Sequence, residues 1–409
     1  MAYLERHLTP TVHRAAATFP AVLITGARQT GKTTLLRREF GASHRYLSLE
    51  RPDVRARAQA DPVAFLAEAA PPAILDEIQY APELLHYVKE DIDDNRIPGR
   101  WLLTGSQSLA LMQGLSQTLS GRVAVLTLDP LSTAEVEQRA PPSGIDGLLA
   151  KVFGGASAED GPRRPTDLAD WLLRGGFPEP RVNPQVDRQV WFGSYVQTYL
   201  ERDVRDLAQI ADLSAFNRFL MLAGARTGTT LNMTEMGREV GVSGPTVRRW
   251  LSVLETSQVI HLLQPYYRNL GKRLRKSPRL FLIDPGLATF LLGLHGAEPV
   301  LQGPALGPLV ETAVVGEWLK AFRQQGERPN LYYWQSNTIA EVDLVIERGG
   351  RLYGVEVKAT ATPTPGHAEG LARWLALAGP EARGVLACRV EAPHTLRPGI
   401  RAVPWHLAW

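Results

Sequence analysis

Residues 26–33 read Gly26-Ala27-Arg28-Gln29-Thr30-Gly31-Lys32-Thr33 and satisfy G-x-x-x-x-G-K-[ST] at every fixed position. The apolar run Ala21–Thr25 precedes them and a helix-prone stretch from Thr33 to Glu39 follows, which is the strand–loop–helix setting that makes the pattern a phosphate-binding turn. Glycines let backbone N–H groups approach phosphate oxygens, and the helix N-terminus adds partial positive charge. Residues Gly26 to Thr34 are therefore the expected ATP-binding segment. Lys32 is expected to reach the β- and γ-phosphates and Thr33 to ligate Mg²⁺. A turn of this kind demands a parallel sheet behind it, and that demand constrains the first third of the chain.

The rest of that third complies. Short apolar runs at Tyr46–Leu49, Ala73–Leu75, Trp101–Thr104 and Val123–Leu128 alternate with helical patterns, so an α/β layer with a parallel sheet is expected. Ala73-Ile74-Leu75-Asp76-Glu77 is an apolar strand ending in two acids, the Walker B arrangement. Asp76 would hold Mg²⁺ and Glu77 would polarise the attacking water as general base. Thr104, Ser106 and Gln107 follow the next strand, where a γ-phosphate sensor sits; Ser106 is preferred. Arg122, before the last strand, is either a finger acting across a subunit boundary or one half of an ion pair.

With 409 residues the chain has room for two to four domains, and 44% hydrophobic residues suffice for real cores. A net charge of only +3 says little about partners. One cysteine, Cys388, excludes an intrachain disulfide and a cysteine metal cluster. No run of 18 apolar residues occurs, so no membrane span and a cytoplasmic location are expected. The Pro- and Gly-rich stretch from Arg139 to Thr166 reads as a linker or insertion.

Leu231 to Leu263 reads as a helix-turn-helix. Asn232 caps one helix, with Glu235 completing a capping box, and Gly241-Val242-Ser243 forms the turn. Ser243 caps a second helix with Pro245 in its first turn. Val247, Trp250, Leu251 and Leu254 share its inner face, which leaves Thr246, Arg248, Arg249 and Ser252 outward, the layout of a recognition helix. Arg268, Lys272, Arg273, Arg275, Lys276 and Arg279 follow without an intervening acid, and Tyr266 and Tyr267 lead into them. Flanked by apolar runs, they suit the wing of a winged helix contacting DNA phosphates. The same architecture also serves as a protein-docking module.

In the last hundred residues, strands at Val342–Ile346 and Leu352–Val357 flank Gly349-Gly350. A two-residue hairpin there sets Asp343 opposite Glu356, and alternation puts Glu356 and Lys358 on one face. Glu311, from the preceding helix, is placed to join them. An Asp, then Glu-x-Lys on the adjacent strand, resembles the PD-(D/E)xK nuclease core, although Val342 stands where that motif has proline. The resemblance implies a Mg²⁺ on Glu311, Asp343 and Glu356 with Lys358 beside it.

Taken in order, these motifs, with Gly175-Gly176-Phe177-Pro178 and Tyr199-Leu200-Glu201-Arg202-Asp203, resemble the AAA-family ATPases of bacteria and archaea. That resemblance implies an AAA ATPase core (1–138), a linker and helical lid (139–212), a winged helix-turn-helix (213–300) and a restriction-endonuclease-like α/β domain (301–409). It implies ATP and Mg²⁺ as ligands, DNA as partner and a homo-oligomer, hexameric by default. ATP-dependent DNA remodelling is the main expectation. A nucleotide-controlled switch and an ATP-licensed nuclease are the alternatives.

Overall fold

The computed structural model describes residues 3–105, 118–154, 167–200, 212–267, 276–336 and 341–407. Five parallel strands form the first sheet: β1 (Ala21–Thr25), β2 (Arg45–Ser48), β3 (Ala73–Asp76), β4 (Trp101–Thr104) and β5 (Val123–Thr127), in the order β2-β3-β4-β1-β5. Strand β1 is buried along its whole length because both faces are covered. Ala21 and Leu23 enter one core and Val22 and Ile24 the other. Helix α1 (Lys32–Phe40) leaves the turn after β1, as the motif requires.

After β5 the chain forms a short helix α2 (Thr133–Val136), closed by a capping box of Ser132 and Glu135, and then α3 (Ile145–Phe153). The segment read as a helix-turn-helix forms two helices, α4 (Met233–Val240) and α5 (Gly244–Thr256). Ser243 caps α5 as expected, and Val247, Trp250, Leu251 and Leu254 are buried. Asn232 caps α4, but Glu235 does not reach back; it pairs with Arg226 at 2.9 Å.

Antiparallel strands β6 (Thr229–Thr230), β7 (Ile260–Pro265) and β8 (Arg279–Leu282) lie beside this helix pair. They are not an isolated sheet. Strand β7 pairs in parallel with β9 (Leu331–Gln335), which continues into β10 (Glu341–Arg348), β11 (Arg351–Val357), β12 (Arg383–Cys388), β13 (His394–Arg397) and β14 (Ile400–Pro404). The order is β13-β14-β12-β11-β10-β9-β7-β8-β6, so nine strands cross the division expected near residue 300 without a break. Register along β10 and β11 runs Leu344 with Val355 and Ile346 with Tyr353, and Gly349 and Gly350 both have positive φ, as the two-residue turn requires.

Helix α6 (Pro285–Leu291) leads into α7 (Leu306–Gln324). The Gly175-Gly176 turn wraps on Asp284, whose carboxylate accepts the Gly176 N–H at 2.6 Å and caps α6 through the Leu287 N–H at 2.9 Å. Helix α7 is apolar on nearly all sides and correspondingly buried, with Trp318 and Phe322 fully enclosed. On the opposite side of the sheet, α8 (Glu369–Ala378) lays Leu371 and Trp374 over the side-chain-free Gly354. Among the described residues no helix is long and apolar enough to cross a membrane.

Candidate functional site

The turn between β1 and α1 has the backbone of a phosphate cradle. Gly26 has φ +140°, and a Cβ there would meet the Leu128 carbonyl oxygen at 2.2 Å, so only glycine fits. Gly31, at φ +93°, is the residue before α1. Thr30 Oγ1 donates to the Ala27 carbonyl at 3.0 Å and shapes the loop. Lys32 is buried, and its ammonium donates to the Gly26 and Ala27 carbonyls at 3.1 and 2.9 Å. Gln29 and Thr34 are exposed, and Arg28 is half-buried.

Asp76 is the centre of the site. One carboxylate oxygen accepts hydroxyls from Thr33 and Thr104, both at 2.6 Å, and the other accepts the Tyr46 hydroxyl at 2.8 Å. Burial and the bond to Asp76 push the Tyr46 phenol up to about 12, so it stays a donor. Thr104 also accepts the Glu77 N–H at 3.0 Å. It bolts the two acids together rather than standing free as a sensor, while Ser106 and Gln107 lie outside the described residues. Glu77 adopts a left-handed conformation, φ +59°, and Gln79 donates to its carboxylate. Thr33 Oγ1 and Asp76 thus present hard oxygen ligands side by side below a loop of backbone N–H groups, and these residues fit ATP with Mg²⁺. Arg122 Nε pairs with Asp93 at 2.5 Å within its own domain.

Sequence reasoning missed Arg6. It is buried, and its guanidinium donates to the Thr30 carbonyl of the loop at 2.8 Å, to the Asp129 carbonyl at 2.6 Å and to Glu135 at 3.0 Å. Burial would raise the Glu135 carboxyl, but Arg6 and the Ser132 and His7 N–H groups hold it below its usual range. From here contacts pass to α7. Arg323 pairs with Asp129 at 2.6 Å, Glu317 accepts the N–H and hydroxyl of Thr133 at 2.9 and 2.8 Å, and Lys320 donates to the Leu131 carbonyl at 3.0 Å. No local pattern marks these pairs, because apart from Arg6 with Thr30 they join residues well over a hundred positions apart.

At the far end of α7, Glu311 lies in the field of Asp343 and Lys358, and the β10–β11 pairing runs in the register that the two-residue turn predicts. They do not make a metal cage. Asp343 Oδ2 accepts the Val357 N–H at 2.8 Å, and Glu356 Oε1 accepts the Lys358 ammonium at 2.6 Å. Arg279, read from sequence as part of the basic wing, is instead buried here. It pairs with Glu341 and stands 3.5 Å from Asp343. Among the described residues no three His, Cys, Asp or Glu side chains are arranged to hold a metal. The expected Mg²⁺ on Glu311, Asp343 and Glu356 therefore does not fit this arrangement. Burial raises all three carboxyls, and the neighbouring Asp343 helps carry Glu356 to about 8.

On the helix-turn-helix, Arg248 and Arg249 are exposed on α5, Thr246 is half-buried at its start, and Lys276 is exposed before β8. Arg268, Lys272, Arg273 and Arg275 lie outside the described residues.

Residues 18–137 match an AAA domain. Residues 165–298 and 306–408 match two domains of unknown function, DUF8612 and DUF4143. The chain is 33% identical over 363 residues to the uncharacterized protein Rv2008c of Mycobacterium tuberculosis, covering 88% of this chain and 75% of that protein. The uncharacterized protein Mb2031c of Mycobacterium bovis matches to the same extent. The chain belongs to the family of these mycobacterial proteins. Its first third is a P-loop ATPase unit of the AAA type. A more distant relative, an uncharacterized protein of Haemophilus influenzae, is 19% identical over 48% of this chain and 47% of its own length. Among solved structures, the Walker-type ATPase PABY2304 of Pyrococcus abyssi aligns over 71% of this chain and 96% of its own, at 16% identity and a TM-score of 0.40. A point variant of RuvB from Thermotoga maritima aligns over 62% of this chain and 87% of its own, at 18% identity and a TM-score of 0.30.

Proposed function

We propose that this chain hydrolyses ATP with Mg²⁺ and uses the cycle to engage and remodel DNA. The observation that carries the hydrolytic half is the cluster of Thr33, Thr104 and Tyr46 hydroxyls around Asp76, directly beneath the loop that carries Lys32. Bound Mg²⁺ would supply charge neutralisation at the phosphates. Lys32 would turn from the Gly26 and Ala27 carbonyls to the phosphate oxygens. Asp76 and Thr33 would hold the metal, and Tyr46 would fix the Asp76 rotamer. Glu77, steadied by Gln79, would take a proton from water at its carboxylate.

Supporting the DNA half are the exposed Arg248 and Arg249 on α5 and the exposed Lys276 before β8. They face away from the buried Trp250 stripe, as a phosphate-contacting helix requires. No base-reading pattern is evident in them, so recognition would be of backbone or shape. A homo-oligomer, hexameric by default, would let Arg122 exchange Asp93 for a neighbour's γ-phosphate. Gel filtration with ATP tests this, and a monomer in every condition removes the finger.

The deciding experiment is ATP turnover of the wild type and Glu77→Gln with duplex, branched and single-stranded DNA. DNA should stimulate the wild type, and Glu77→Gln should lose hydrolysis by about a hundredfold or more while retaining ATP. Turnover indifferent to every DNA would overturn the DNA half. A second reading, a nucleotide-controlled switch with slow turnover, is favoured by one observation: Arg6 joins the phosphate loop to Asp129, and Arg323 of α7 pairs with that same residue. Tight nucleotide retention with little DNA stimulation would favour it.

A further inference from the structure

The guanidinium of Arg6 is buried and answered in three directions. Its Nη1 donates to the Thr30 carbonyl at 2.8 Å, its Nη2 to the Asp129 carbonyl at 2.6 Å and its Nε to Glu135 at 3.0 Å. Two of these acceptors are themselves fixed. Asp129 follows β5, where the Leu128 N–H is bonded to the Thr25 carbonyl at 2.8 Å, and Glu135 also accepts the N–H groups of His7 and Ser132, both at 2.8 Å. The third acceptor belongs to the phosphate loop. It is a carbonyl with a positive-φ residue on either side, Gln29 at +65° and Gly31 at +93°. Arg6 Nη1 also stands on the open side of Gly31, 3.9 Å from where a Cβ would be.

A trans peptide unit is flat, and its carbonyl and N–H point in opposite directions. The Thr30–Gly31 bond is trans. Drawing the Thr30 carbonyl outward onto Arg6 therefore turns the Gly31 N–H inward, at the start of α1, where backbone N–H groups cradle the phosphates that stay with the nucleoside. Glycine accepts either orientation of that plane, so the loop's own sequence does not decide it. The opposite orientation would set a carbonyl oxygen against the anion. We propose that Arg6 is a positioning residue for nucleotide binding: from its anchors in the segment after β5 it holds the Thr30–Gly31 plane so that the Gly31 N–H faces the phosphates that are not transferred. The inference rests on the ATP reading of the loop and is independent of what α5 binds. Such a contact is made equally before and during hydrolysis, so it acts on nucleotide affinity and not on turnover at saturation.

The test is titration of the full chain with ATP, ADP and inorganic tripolyphosphate, beside kcat at saturating ATP and the thermal midpoint without ligand. Arg6→Lys keeps the charge but loses the planar fork that serves separate acceptors. It should weaken all three ligands by a similar factor, about tenfold or more, with kcat within about twofold of wild type. Glu135→Gln keeps the shape of the cap on α2 and removes the charge that anchors Arg6. It should give a smaller loss shared by the same three ligands, and it carries the test should Arg6→Lys fail to fold. Lys32→Ala is the reference for the loop itself. Unchanged affinities in the Arg6 and Glu135 variants, beside a Lys32→Ala chain that loses ATP, would overturn the proposal and leave the ATP reading standing. So would a fall in kcat at unchanged affinity, or a loss that spares tripolyphosphate. A Lys32→Ala chain that binds ATP as wild type does would overturn the ATP reading and this inference with it.

Discussion

At the scale of single residues, Asp76 is set by hydroxyls rather than by cations. Three neutral donors hold it, and none competes with a metal for charge. Tyr46 is the one whose loss is cleanest, because its ring remains packed over Arg37. Tyr46→Phe removes one hydrogen bond worth about 1 kcal/mol. Turnover should fall about three- to tenfold, with metal-free nucleotide binding unchanged, and steady-state ATPase assays beside nucleotide titrations check this. Neither Tyr46 nor Arg6 was legible in the sequence. The motif residues were, since their chemistry depends on local spacing: Lys32, Thr33, Asp76 and Glu77 all sit where the pattern places them. Tyr46 belongs to the site only through the β2–β3 pairing, which sets Ser48 beside Asp76. Arg279 shows the same limit from the other side. In sequence it ends a basic run and reads as a surface cation; its burial follows from β7 pairing with β9, a contact that nothing local announces.

At the scale of elements, α7 is held by a buried ion pair. Its Glu317–Lys320 pair is 1% exposed at both ends, and each partner also bonds to the segment after β5. Glu317→Ala leaves a buried ammonium without its carboxylate and should cost about 3–5 kcal/mol in urea unfolding. Glu317→Leu with Lys320→Met should cost less than either single change, because no charge is stranded. The exposed face of α5 gives the opposite case. Charge reversal at Arg248 and Arg249 should leave stability within about 0.5 kcal/mol. It should lower the slope of log K against log salt for DNA by about one per lost phosphate contact. An unchanged slope would remove α5 from the proposed DNA face. The helices and their caps were readable because periodicity and caps are local. The continuity of β6 through β13 was not, since strands that read as a wing are also an edge for the next strand to join.

At the scale of the whole molecule, the chain end is tied back to the nucleotide side. Arg139 donates to the His406 carbonyl at 3.1 Å, and the His406 ring is buried. Burial pushes that imidazole down to about 4, with Glu137 pulling it up and Arg139 pushing it further down. The folded chain therefore refuses a proton that the unfolded chain accepts near 6.5. Stability is complete above about pH 6.5 and is lost as pH falls toward about 4, by up to about 3 kcal/mol. His406→Gln should flatten that limb, read as the difference in thermal midpoint between neutral and about pH 4.5.

The unbroken nine-strand sheet has one more effect. Strand pairing resists shear, so in the proposed cycle the surface that bears α5 and the strand that bears Glu356 would move as one plate. A stroke of the proposed kind, reaching α7 from the nucleotide side, would swing that plate entire, and a ligand clasped at Arg248 would be carried along with the carboxylates rather than toward them or away.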